Sequence, residues 1–105
     1  MGISTHVLDT SRGRPAAGVP ITLDIERGGW DFVAMGRTDA DGRLKLVGDA
    51  PETGTYRITF ATGEYFGGET FFPEVSIVFV VKEAAQHYHV PLLLSPFGYS
   101  TYRGS

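Results

Sequence analysis

The chain has 105 residues, no cysteine and a formal charge of −3. That length suits a single domain, residues 1–105, with a modest core. Its nine Lys and Arg residues are scattered, which argues against a nucleic-acid footprint, and the lack of thiols leaves no disulfide frame and no thiolate chemistry.

Fourteen glycines and six prolines, among many Thr, Val, Phe and Tyr, favour short strands and tight turns. Ile3 to Asp9 reads as the first strand, with Ile3, Thr5 and Val7 inward and Ser4, His6 and Leu8 on the opposite face. The first residues enter this strand directly, without a leader pattern, so the expected location is cytoplasmic. Thr10 to Gly18 is a loop rich in Gly, Pro, Ser and Arg. Val19 to Arg27 alternates again, and Gly28-Gly29 turns the chain into a strand over Trp30 to Thr38. Asp41-Gly42 predicts a type I′ hairpin, whose two central residues need positive φ, leading into a short strand over Arg43 to Val47.

After a loop over Gly48 to Thr53, Thr55 to Thr62 reads as a strand with Tyr56, Ile58 and Phe60 inward. Gly63 to Gly68 predicts at most one short helical turn, weakened by Gly67-Gly68. Val75 to Val81 is nearly all apolar, the pattern of a central strand, and it is too short to span a bilayer. Lys82 to Gln86 is a turn. His87 to Leu94 alternates once more, turns at Ser95-Pro96-Phe97-Gly98, and returns as a strand to the end of the chain. Tyr88, Val90, Leu92 and Leu94 form a plain core face; His87, His89, Pro91 and Leu93 put two imidazoles on the face away from it. About eight short strands with frequent turns define an all-β class, a two-sheet β-sandwich.

Three segments then carry a resemblance. They are Thr5-His6-Val7-Leu8-Asp9, Thr38-Asp39-Ala40-Asp41-Gly42-Arg43, and the run from His87 through Tyr88-His89-Val90-Pro91 to Ser95-Pro96, which ends in Tyr102-Arg103-Gly104-Ser105. In order and in register they resemble the motifs of the 5-hydroxyisourate hydrolases, the transthyretin-related enzymes of urate breakdown. The resemblance covers essentially the whole chain and implies a transthyretin-like sandwich. It implies a cofactor-free enzyme that opens 5-hydroxyisourate to 2-oxo-4-hydroxy-4-carboxy-5-ureidoimidazoline. It implies a homotetramer, a dimer of dimers with its active sites in a channel between dimers. His6, Arg43 and His89 are carried over as catalytic residues, and Tyr102 and Ser105 join His6 and Arg43 in binding substrate. His87 has no such support, and its expected role is to orient its neighbours or to sit at the rim. The segment between Tyr65 and Phe72 is shorter than the family commonly has, which weighs against the short helix.

These residue types suit the chemistry that the resemblance implies. Water attack at a ring carbonyl needs a base, which an imidazole of near-neutral pKa supplies. The resulting oxyanion needs fixed positive charge, which a guanidinium supplies without titrating. The departing nitrogen needs a proton. The sequence leaves open which histidine is the base and which the acid or orienter. Two rival readings stand beside this one. His87-x-His89 with His6 is a conceivable three-imidazole zinc site, although Arg43 beside it would repel a dication. A non-catalytic carrier is the other, because transthyretin has the same fold; the resemblance implies that transthyretin lacks the counterparts of His6, Arg43 and Tyr102. Asp39-x-Asp41-Gly42 fails as a calcium loop, since Arg37 and Gly48 occupy its end positions.

Overall fold

A computed structural model describes residues 2–105. Strand β1 runs over Gly2–Asp9, β2 over Arg14–Pro15, β3 over Pro20–Glu26, β4 over Trp30–Arg37 and β5 over Arg43–Val47. Then come β6 (Gly54–Phe60), helix α1 (Thr62–Tyr65), β7 (Val75–Val81), β8 (His87–Ser95) and β9 (Gly98–Thr101). One sheet is ordered β2-β1-β8-β9, with β5 also pairing β1; the other is ordered β4-β3-β6-β7. The expected all-β sandwich is present.

Period-two alternation builds the core. Ile3 and Val7 of β1, with Val90, Leu92 and Leu94 of β8, face Ile21, Leu23 and Ile25 of β3 and Tyr56, Ile58 and Phe60 of β6. All of these are buried. Each fully buried aliphatic side chain contributes about 1.5–3 kcal/mol by leaving water, so this shared layer is what holds the sheets together.

Two expectations are corrected here. Asp41-Gly42 does not close a hairpin. β4 belongs to one sheet and β5 to the other, so the turn carries the chain across the sandwich. Gly42 has φ +76°, but Asp41 has no positive φ, and type I′ needs both. The turn is held instead by Asp39, whose Oδ1 accepts N–H bonds from Asp41 and Arg43 at 2.9 Å each. Gly42 is required twice over, because a Cβ there would also collide with the carbonyl oxygen of Val7.

The second correction is β7, which is an edge strand and not a central one. Val75 and Val81 are buried and Ile77 and Phe79 pack on the core, while Val78 and Val80 are 58% and 51% exposed. An apolar run mimics a central strand whenever its outer face is apolar for another reason. The predicted loop over Thr10 to Gly18 also contains the two-residue β2, bridged to Leu8 and Asp9.

The short helix against which the segment's length weighed does form, as α1 over Thr62–Tyr65, and a polar lock ties it to β1. Asp9 is buried, and its Oδ2 accepts the Tyr65 hydroxyl at 2.7 Å. Its Oδ1 accepts the Ser11 hydroxyl at 2.6 Å and the backbone N–H groups of Ser11 and Arg12. Burial pushes this carboxyl up, but the bonds from Ser11, Tyr65 and Arg12 outweigh it and hold it below its ordinary 3.8.

Candidate active site

Sheet register, which brings distant residues into rows, builds the site. β1 lies parallel to β8, so that Ser4 faces His89 and His6 faces Pro91. On its other side β1 lies antiparallel to β5, pairing His6 with Arg43 and Ser4 with Lys45. Beyond β8, Gly104 bridges His89. Paired residues project to the same side of a sheet. Two rows therefore cross the outer face of this sheet. One is Lys45, Ser4, His89 and Gly104; the other begins Arg43, His6 and Pro91.

A polar cavity of about 390 Å³ opens on this face, and Arg43, Lys45, Ser4, His89, Arg37 and Asp39 contribute to its walls. Of the residues expected from sequence, Arg43 and His89 meet in it. His6 lies beside Arg43 but turns its ring to the Asp39–Gly42 turn, with Nε2 2.8 Å from the carbonyl oxygen of Asp41. A carbonyl only accepts, so His6 carries its hydrogen on Nε2 and keeps Nδ1 open. Tyr102 lies elsewhere. It is 59% exposed and lines a second, more apolar hollow of about 280 Å³ together with His89, Phe79 and Arg103. Ser105 is exposed and follows directly on the Gly104 bridge.

His89 stands between the two hollows. Ser4 Oγ lies 2.9 Å from its Nδ1 and 3.1 Å from Nε2 of His87, and the two imidazoles stack at 6.1 Å. Burial first, then the charges of His87, His6 and Arg43, push the His89 imidazole below its ordinary 6.5. The tail packs closely here. Gly104 donates its N–H to the His89 carbonyl at 2.9 Å, and a Cβ on Gly104 would come to 2.5 Å from the His89 ring. Arg103 stacks over Tyr88 at 4.5 Å and bonds the His87 carbonyl.

Among the described residues no three His, Asp or Glu side chains gather as a metal-ligating cluster, so His6, His87 and His89 do not form the three-imidazole site weighed from sequence. Nor is any helix there long and apolar enough to cross a membrane. Sequence reasoning missed Ser4 and Lys45. Alternation puts Ser4 on the face of His6, but its place beside His89 depends on the parallel pairing of the chain's two ends, for which the local pattern holds no signal.

The architecture is that of the transthyretin-like sandwiches. The chain matches the model of the HIUase/Transthyretin family over residues 3–104, and it belongs to that family. It is 47% identical to a 5-hydroxyisourate hydrolase of Salmonella typhimurium over 98% of this chain and 80% of that protein. The solved structure of Klebsiella pneumoniae 5-hydroxyisourate hydrolase superposes with a TM-score of 0.87, at 40% identity and 100% of both chains. Sea bream transthyretin, solved with thyroxine, superposes with a TM-score of 0.92 at 33% identity, over 99% of this chain and 95% of that one. Backbone shape thus fits enzyme and carrier alike. Sequence identity is higher to the hydrolases, and the chain falls with the enzymes of the family.

Proposed function

We propose that this protein hydrolyses 5-hydroxyisourate to 2-oxo-4-hydroxy-4-carboxy-5-ureidoimidazoline in urate degradation. The observation that carries the reading is the meeting of Arg43 and His89 in one polar cavity, in a chain of this family. Held below 6.5, His89 is unprotonated near neutral pH and suits the role of base. It takes a proton from water as the water oxygen bonds to the ring carbonyl carbon. Arg43 holds the oxyanion with its charged fork. The carbon–nitrogen bond then breaks, and His89 returns the proton to the departing nitrogen. His6, fixed by the Asp41 carbonyl beside Arg43, orients the substrate. Tyr102 and Ser105 close the side of His89 away from Arg43.

The test follows the decay of freshly generated 5-hydroxyisourate with and without the protein, and with a chelator. Acceleration that the chelator leaves intact is the expected result. A decay no faster than the spontaneous one would sink the assignment, and acceleration lost to chelator and restored by zinc would pass it to a metal hydrolase.

A further inference from the structure

Ser4 has one hydrogen to give and two imidazole nitrogens within reach, Nδ1 of His89 at 2.9 Å and Nε2 of His87 at 3.1 Å. A hydroxyl cannot donate to both. At least one ring must therefore donate to Ser4 Oγ, and where the other accepts the hydroxyl hydrogen the three groups form a directed chain. Its direction decides the state of His89. If His89 donates from Nδ1, its Nε2 carries a lone pair; if His89 accepts there, its Nε2 carries the hydrogen. Nε2 makes no hydrogen bond among the described residues, so it is the ring nitrogen left for a molecule in the cavity.

Two observations set the direction. The cavity that His89 lines holds Arg43 and Lys45, together with Arg37, whose charge Glu64 offsets at 2.9 Å, against one lining carboxylate, Asp39, and His6 adds its charge when protonated. A lone pair facing that positive field is favoured over an N–H dipole facing it. His87, by contrast, is exposed, so its Nδ1–H can be satisfied by water while its Nε2 accepts from Ser4. Its backbone is also pinned, because Arg103 bonds the His87 carbonyl at 3.1 Å.

We propose that Ser4 and His87 are positioning residues for the reaction: the chain His89 Nδ1–H to Ser4 Oγ–H to His87 Nε2 fixes the tautomer of His89 that leaves Nε2 as the base. Ser4 thus holds the place that a carboxylate or carbonyl commonly holds behind a catalytic imidazole. His87 is the end of that chain and not a residue at the rim. The proposal rests on the hydrolase reading for its kinetic meaning, while the tautomer itself is a property of the free protein.

The experiment therefore has two arms. Nitrogen-15 NMR of the histidine rings at neutral pH reads the tautomer without substrate, and steady-state kinetics reads turnover. The parent should show His89 protonated on Nδ1. Ser4→Ala should move the hydrogen to Nε2 and lower kcat about tenfold or more, with KM changed by less than about twofold. Ser4→Thr keeps a hydroxyl and should restore the parent tautomer and most of the lost turnover. His87→Gln, which can still accept from Ser4, should resemble the parent more than His87→Leu does. A parent His89 protonated on Nε2, or a folded Ser4→Ala protein turning over within about twofold of the parent, overturns the proposal. A parent that fails to accelerate substrate decay overturns the hydrolase reading, a result distinct from a wrong tautomer.

Discussion

His6 and His89 are the same side chain with different nitrogens consumed. The carbonyl of Asp41 takes Nε2 of His6, whereas Ser4 takes Nδ1 of His89. His89 is half-buried and crowded by like charge, so it resists protonation more than a free imidazole does. The consequence for pH is definite in sign. Between the lowered folded pKa and the ordinary 6.5, the unfolded chain binds the proton and the folded one does not. Its contribution to stability is therefore complete above 6.5 and is lost as pH falls through the folded value. Activity follows the same group, because protonated His89 is no base. The acid limb of kcat/KM should have its midpoint below 6.5, and NMR titration of the His89 ring should give the same midpoint. A midpoint at or above 6.5 would remove His89 from the role of base.

Among the elements, the tail after β9 does most for the site at least cost to the core. Its contacts are the Gly104 bridge to His89, the stacking of Arg103 on Tyr88, and the Arg103 bonds to Gln86 and His87. Arg103 and Ser105 are exposed, so deleting residues 103–105 removes little buried area. The truncated protein should keep its fold and oligomeric mass while kcat falls about tenfold or more through loss of positioning at His89. Turnover within about twofold of the full chain, measured on a protein of unchanged mass, would make the tail a bystander. The β8–β9 pairing that carries this tail was legible from sequence, because alternation, Pro96 and Gly98 all specify an antiparallel return. The Asp41-Gly42 turn was misread for a physical reason. A local dipeptide reports the turn but not which sheet the next strand joins, and β5 finds β1 because His6 and its neighbours offer a free edge. β7 was misread through its outer valines. The individual site residues were nameable from their motifs, but their mutual placement was not, because Ser4 and His89 are 85 positions apart and meet only through a parallel pairing.

At the scale of the whole molecule, several apolar side chains face outward, Phe32 and Met35 of β4 and Phe71 among them, and two further features have the geometry of interfaces between copies. The first is the free edge of β7, with Val78 and Val80 58% and 51% exposed and an unpaired row of backbone groups beside them. Sheet extension across such an edge satisfies both the valines and the backbone. The second lies at the β8–β9 turn, where Phe97 is 79% exposed at the end of the outer face that carries the candidate site. A single self-complementary patch yields a dimer; two distinct ones yield a closed dimer of dimers. The assembly expected here is that tetramer, with the β7 edges joined first and the site faces opposed across a channel. Light scattering at micromolar concentration should give the mass of four chains. Phe97→Asp should reduce it to two chains while the fold survives, since Phe97 contributes nothing to the core. Val80→Asp should act on the other interface and weaken the dimer itself. A single species of monomer mass in the parent protein would refute the assembly, and a tetramer indifferent to Phe97→Asp would remove the turn from the second interface.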